Sequence, residues 1–362
     1  MICVADPCNL RRLWLGVQVR TRRRVNPDMD HRLAHDVNAT SDTDLADSWM
    51  ACRCHTIKPM KSKKKSTPPL QENLTRLHAI LNSRVHGQDE VLRRLTDAVQ
   101  RRETNVTPQR GPRDAFLFAG PTGVGKTFLA ERLAEVMFGS DGFERFDCSE
   151  FKTLDKYDEL LGCRSGDRGR LAQAYARTPS GIWLFDEIEK AHPDFVHLFL
   201  QAVSAGRLTP ASGETLDLSR LYLIVTTNLG SAAIVGREHL PFASLEAHVA
   251  RAVENWLRPE LRARFGKPYV FRPLSRETQQ RIAQDILNEI VLHNRRYGRE
   301  IEVAPEVLPF LICRGYSRRL GTRPMLQIID ELVGNALKEN LLAGGTGSGS
   351  LVIEDNQLKF VP

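Results

Sequence analysis

The eight residues Gly120-Pro-Thr-Gly-Val-Gly-Lys-Thr127 fit the pattern G-x-x-x-x-G-K-[ST], and no other stretch constrains the fold as tightly. A backbone that cradles phosphates needs glycines so that successive N–H groups point inward. It also needs a helix N-terminus behind them, whose dipole favours the negative charge. The loop must therefore lie between a buried strand and a helix. Both are written in the sequence. Ala115-Phe-Leu-Phe-Ala119 is an apolar run of strand length, and Thr127 to Met137 has helical periodicity. Gly120, Pro121, Thr122, Gly123, Val124, Gly125, Lys126 and Thr127 are accordingly candidate nucleotide-binding residues. Lys126 is expected to neutralise the β- and γ-phosphates of ATP, and Thr127 to ligate Mg²⁺.

Two more strands bring acidic and amide side chains to this loop. Ile182-Trp-Leu-Phe185 runs directly into Asp186-Glu187, 60 residues after Lys126. An acidic pair at a strand end is commonly just solvated. Behind a phosphate loop at this distance, Asp186 is expected to hold Mg²⁺ through water, and Glu187 to act as general base on the attacking water. Leu221-Tyr-Leu-Ile-Val225 runs into Thr226-Thr227-Asn228. Asn228 is a candidate for orienting that water, although Asn also suits the turn that Asn228-Leu-Gly230 would make. Uninterrupted apolar strands alternating with helices imply an α/β fold with a parallel sheet covered on both faces. From Ser275 the pattern is helical, with Ile282, Ile286 and Ile290 on one face, and Leu351 to Val361 reads as a hairpin around Asp355-Asn356. The expected organisation is a leader over 1–70, a nucleotide-binding domain over 71–273, and a smaller, mostly helical lid over 274–362 that ends in the hairpin.

Composition bears on partners. Of the 362 residues, 41% are hydrophobic and 26% charged, the ordinary proportions of a soluble protein. No apolar run approaches the ~18 residues that span a bilayer. Residues 1–70 carry 13 Lys and Arg against 7 Asp and Glu, and the rest of the chain carries 38 against 37. The net charge of +7 therefore belongs to the leader, and the near-neutral body has no electrostatic footprint for nucleic acid. The leader holds Arg20-Thr-Arg-Arg-Arg24 and the lysine-rich run after Met60, and it reads as a disordered, solvated tail. Met60 itself resembles a natural start. Seven cysteines, four of them within the first 54 residues and without a C-x-x-C pair, suit a reduced, cytoplasmic protein. Cys52-Arg-Cys54-His55 is at most half of a metal site, with no second half at zinc spacing.

Taken together, GPTGVGKT, LFDEIEKAHPDF (Leu184 to Phe195), GRLT (Gly206 to Thr209) and TTNLGS (Thr226 to Ser231) resemble the Clp-type AAA+ unfoldases. The likeness is greatest to the second ATPase module of the ClpB/ClpA/ClpC group, and it runs from about Gln71 to Val361. The string FDEIEKAHPDF is far more specific than the phosphate loop. The resemblance implies an AAA+ ATPase that assembles into a homo-oligomeric ring, a hexamer in that family, and remodels a protein partner. It places Val85 and His86, within VHGQDE, near the adenine. It makes Arg264, in RPELRARF (Arg258 to Phe265), the arginine finger that reaches a neighbouring subunit. It makes Arg323, in GTRP (Gly321 to Pro324), a phosphate contact from the lid. Ala263 and Gly266 stand where family members often have Asn and Asp, which bears on how the finger is positioned. The chain has no room for the family's adaptor domain or first module, which implies a single ring. It also lacks an Ile-Gly-Phe or Ile-Gly-Leu tripeptide, so docking of a Clp peptidase is not expected.

One segment departs from the family. The unfoldases grip threaded polypeptide with an aromatic GYVG loop, whereas this chain reads LLGCRSGDRGRLAQAY (Leu160 to Tyr175). Between Gly162 and Arg170 it has no aromatic side chain but has Arg164, Arg168 and Arg170. Two readings stay open: loss of grip, or a different, acidic partner surface held by charge. Two other functions also stay open. A nucleic-acid motor or loader would use these arginines and the basic leader. An ATP-dependent switch or scaffold would use the nucleotide site without coupled work.

Overall fold

The structure is a computed structural model that describes residues 70–104, 111–162, 168–211, 213–234 and 240–362. Residues 1–69 of the leader, with Cys52 to His55 among them, and Arg164 lie outside the described residues.

Helices α1 (Leu70–Asn82) and α2 (Asp89–Glu103) precede β1 (Asp114–Ala119). There follow α3 (Lys126–Phe138), β2 (Phe143–Asp147), α4 (Leu154–Leu161), α5 (Gly169–Arg177), β3 (Gly181–Asp186), α6 (Pro193–Ala205), β4 (Arg207–Leu208), β5 (Leu216–Asp217) and β6 (Leu221–Thr227). Then come α7 (Ser231–Ile234), α8 (Phe242–Trp256), α9 (Pro259–Phe265) and β7 (Tyr269–Val270). The chain ends with α10 (Arg276–Arg295), β8 (Ile301–Val303), α11 (Val307–Gly315), α12 (Arg323–Leu342), β9 (Gly349–Glu354) and β10 (Gln357–Val361).

The main sheet is parallel throughout, in the order β2-β3-β6-β1-β7. Its central strands β1, β3 and β6 are buried on both faces, which is why they are apolar without interruption. Alternation along each strand sends side chains to opposite faces. Phe116, Phe118, Ile182, Leu184, Tyr222 and Ile224 pack with Leu129 and Leu133 of α3. Leu117, Trp183, Phe185, Leu223 and Val225 pack on the other face with Phe195 and Phe199 of α6. The two strands that the sequence does not announce are the sheet's edges. β2 is polar and half exposed, and β7 pairs over two residues only.

The lid has its own core of Ala283, Leu287, Leu311, Met325, Ile329, Val333 and Leu351. The C-terminal hairpin turns at Asp355 and Asn356, both at positive φ, as a two-residue type I′ loop requires. Beyond the hairpin, β8 joins β9 in parallel, so the lid carries a three-stranded sheet beside its helices. The isoleucine face of α10 also differs from expectation. The deepest stripe is Gln279, Ala283, Leu287 and Asn294. Ile282, Ile286 and Ile290 flank it: Ile282 packs against the core of the main sheet and the other two against the lid's core. The flanking stripe is apolar because this helix lies between two cores. Among the described residues, no helix is long and apolar enough to cross a membrane.

Candidate nucleotide site

The loop Gly120–Thr127 leaves the C-terminal end of β1 and enters α3 at Lys126, with Gly123 and Gly125 in the left-handed region that turns the backbone inward. Strand β6 lies beside β1, and β3 lies beside β6, so Asp186, Glu187 and Asn228 arrive at the same edge. This is the carboxyl end of a parallel sheet, where open α/β folds bind ligands.

Lys126 is buried, and its ammonium spends all three protons inside the site. It donates to the carbonyls of Gly120 (2.6 Å) and Pro121 (2.7 Å) and to Oδ1 of Asn228 (2.9 Å). Burial pushes its pKa down to about 8, against the pull of Asp186, Glu189 and Glu187, and the positive charge of Arg323 pushes the same way. Asn228 turns its amide nitrogen to Oε1 of Glu187 (2.8 Å), and its backbone N–H donates to Oε1 of Glu189 (3.0 Å). One amide thus links the loop lysine to the candidate base.

Glu187 sits at φ 57°, in a region that costs a non-glycine residue on the order of 1–3 kcal/mol. The strain arises where β3 ends and the chain bends into the short turn Ile188–Lys190. Burial raises the Glu187 carboxyl, but hydrogen bonds from Lys190 and Asn228 outweigh it and hold the group below its usual range. The side chain is therefore ionised at neutral pH, as a general base must be. Thr226 fixes both acidic residues. Its hydroxyl donates to Oδ1 of Asp186 and accepts the backbone N–H of Glu187 (3.0 Å).

The other oxygen of Asp186, Oδ2, faces Thr127, whose hydroxyl lies 3.1 Å away. Two hard oxygen donors converging on one point suit Mg²⁺, which takes oxygen ligands and keeps several waters. Bound there, the ion would neutralise charge on the β- and γ-phosphates. Arg145 of β2 donates to the same Oδ2 at 2.6 Å.

The remaining candidates are more spread out. Val85 is buried, and His86 lies 2.6 Å from Oδ2 of Asp285 on α10. Both border a cleft of about 260 Å³ that Gly87, Thr278 and Arg281 also line, and that does not include the phosphate loop. Arg323 begins α12, exposed, with Thr322 before it bonded to the carbonyl of Gly123. Arg264 is exposed near the end of α9 and makes no hydrogen bond or ion pair among the described residues. Arg168 and Arg170 are each paired within the chain, Arg168 with Glu214 (3.3 Å) and Arg170 with Glu150 (2.6 Å), the latter also lying over the ring of Phe151.

Four residues of the site escaped the sequence reading. Gln88 clamps the loop by donating to the carbonyls of Val124 and Arg272 and accepting the N–H of Arg272. Lys190, Thr226 and Arg145 act on the acidic pair. The strings VHGQDE and FDEIEK and the strand end Val-Thr-Thr contain three of them, whereas Arg145 carries no local signal at all.

Residues 112–267 match the AAA domain family (Cdc48 subfamily), and residues 274–353 match the C-terminal, D2-small domain, of ClpB protein. The probable chaperone protein ClpB 1 of Chlorobaculum tepidum is 34% identical over 296 residues, covering 78% of this chain and 68% of that protein. The chaperone protein ClpB of Vibrio vulnificus is 34% identical over 298 residues, covering 80% of this chain but 34% of that protein. A Saccharomyces cerevisiae Hsp104–ADP complex superposes with a TM-score of 0.72 at 30% identity, over 80% of this chain and 52% of that one. A closed-state reconstruction of Hsp104 with ATPγS and FITC casein gives 0.73 at 30% identity, over 82% and 53%. This chain thus spans about two thirds of the first relative and a third to a half of the others.

Proposed function

The chain belongs to the ClpB-type AAA family, and from that premise we propose that it is an ATP-hydrolysing, ring-forming protein that remodels a protein partner. The observation that carries the reading is the hydrogen-bonded series Lys126–Asn228–Glu187 beside the Asp186–Thr127 pair. It puts a phosphate-binding cation, a water-orienting amide, an ionised carboxylate and two Mg²⁺ ligands at one edge of the sheet.

In this reading Glu187 takes the proton of the attacking water while Asn228 holds that water in line. Lys126 moves from the loop carbonyls to the phosphate oxygens. Arg264 supplies charge from a neighbouring copy, and fingers of this kind are worth on the order of 10³–10⁵ in rate. That it has no hydrogen-bond or ion-pair partner among the described residues supports a role outside its own chain. Val85 and His86 border the adenine, and Arg323 contacts phosphate from the lid. Residues 71–273 form the nucleotide-binding domain and 274–362 the lid, and the ring is a hexamer working in the cytoplasm.

The partner is an acidic protein surface. Support comes from the segment Gly162 to Arg170, which offers guanidinium groups where relatives offer an aromatic. The pairs Arg168–Glu214 and Arg170–Glu150 are exposed, worth about 0–1 kcal/mol each, and so are readily exchanged for a partner's carboxylates. The test is sedimentation with and without ATP, then capture of partners on the Glu187→Gln protein loaded with ATP. Arg164→Ala combined with Arg168→Ala should abolish partner stimulation of ATPase and spare the basal rate. A monomer at all nucleotide concentrations would overturn the ring. Stimulation unchanged in the double variant, or salt-sensitive DNA binding in place of protein capture, would overturn the partner.

A further inference from the structure

We propose that Arg145 is the counter-ion of the metal side of Asp186, released to Glu131 when a divalent cation takes its place. The proposal rests on the nucleotide reading above.

Asp186 is buried, and a buried carboxylate without a cation is costly. Its other hydrogen-bond partners, Thr127 and Thr226, are neutral hydroxyls. Lys126 spends its protons on Gly120, Pro121 and Asn228. Among the described residues, Arg145 is therefore the one cation in direct contact with Asp186, and it bonds to Oδ2, the oxygen that Thr127 also faces. A guanidinium stands where the metal side of the site would be.

Arg145 is built to leave. It lies on the edge strand β2, with its side chain 45% exposed, so that a rotamer change disturbs no core packing. It also has somewhere to go. Glu131, in the second turn of α3, takes no hydrogen bond and no ion pair among the described residues. Burial pushes that carboxyl up, while Arg132 and then Arg145 pull it down, so Arg145 is already within electrostatic reach. Movement from Asp186 to Glu131 leaves Asp186 with one cation at every stage and gives Glu131 a cation once the metal is bound. Without metal, the guanidinium keeps Asp186 from repelling phosphate. With metal, it competes for Oδ2.

The two roles predict opposite signs for Arg145→Gln. In EDTA the variant should bind ADP more weakly than wild type, because the bare Asp186 charge then faces the phosphates. With ADP saturating, it should bind Mn²⁺ more tightly, as read by the free-ion signal in electron paramagnetic resonance. Each shift should be at least about threefold, within what one partly exposed charge pair carries. Glu131→Gln, which removes the destination, should weaken Mn²⁺ binding in the ADP complex. A purely structural Arg145 would move both affinities the same way or not at all, and either result overturns the proposal. If Arg145→Gln fails to fold, Glu131→Gln decides, and unchanged or tighter Mn²⁺ binding overturns it. Wild type that shows no ADP-dependent Mn²⁺ binding would overturn the nucleotide reading itself, a result distinct from both.

Discussion

Gly123 in the phosphate loop and Gly321 before the last lid helix meet backbone to backbone. A Cβ on Gly123 would lie 2.1 Å from the carbonyl oxygen of Leu320, and a Cβ on Gly321 would lie 2.3 Å from that of Gly123. Both glycines have positive φ, so both are needed for conformation as well as for space. The approach lets Thr322 bond twice to the Gly123 carbonyl, through its N–H at 3.0 Å and its hydroxyl at 3.1 Å. The lid thus touches the phosphate loop directly, through backbone and the Thr322 hydroxyl.

Gly321→Ala should part the lid from the loop. The clash is with backbone, which cannot step aside, and the left-handed φ adds strain on the order of 1–3 kcal/mol. ADP affinity should fall about tenfold or more, while the main-sheet domain stays folded by circular dichroism. Thr322→Ala should speed ADP release by a lesser factor, in line with one hydrogen bond of about 0.5–1.5 kcal/mol, and Thr322→Ser should restore it. Wild-type ADP release by both Gly321→Ala and Thr322→Ala would show that this contact does not govern the nucleotide.

Glu187→Gln should bind ATP normally and lose about 10²–10⁴ of its turnover, the usual contribution of a positioned general base. The amide keeps a bond to Asn228 but cannot take a proton. Steady-state phosphate release measures it, and retention of more than about half of wild-type turnover would remove Glu187 from the role.

Arg264→Ala and Lys126→Ala should each be inactive alone and regain part of the ATPase when mixed, because the finger and the loop would then serve one site from different copies. Sedimentation must first show mixed oligomers. If these form and remain inactive, Arg264 does not act in trans.

Lys126 should make nucleotide binding pH-dependent. In the free site its pKa is lowered to about 8 by burial, below the ordinary lysine value. Phosphate oxygens beside the ammonium restore the charged form, so binding takes up a proton above pH 8 and almost none at pH 7. At pH 9 the uptake should approach one proton, roughly 0.9 from the titration of a single group. ADP titration calorimetry in buffers of different ionisation enthalpy reads it directly. Equal proton uptake at pH 7 and pH 9 would contradict the buried environment of Lys126.

The class of fold, and most of the residues that gather at the candidate site, were legible in the sequence alone. Strands β1, β3 and β6 are apolar throughout because both faces of a parallel sheet are covered, and that constraint is local and periodic. The phosphate loop and the acidic pair could be read for the same reason, since each follows a buried strand at fixed spacing. Tertiary structure decided what lies between segments. Arg145 sits on an edge strand too polar to announce itself, and it meets Asp186 only because β2 pairs with β3. The bonds of Asn228 to Lys126 and Glu187 depend on a strand order that no local pattern encodes. The closeness of Gly123 and Gly321, 198 positions apart, depends on how the lid closes on the loop. Short-range periodicity records which face of an element is buried, whereas the partners across a sheet edge or a domain junction are fixed by packing of the whole chain.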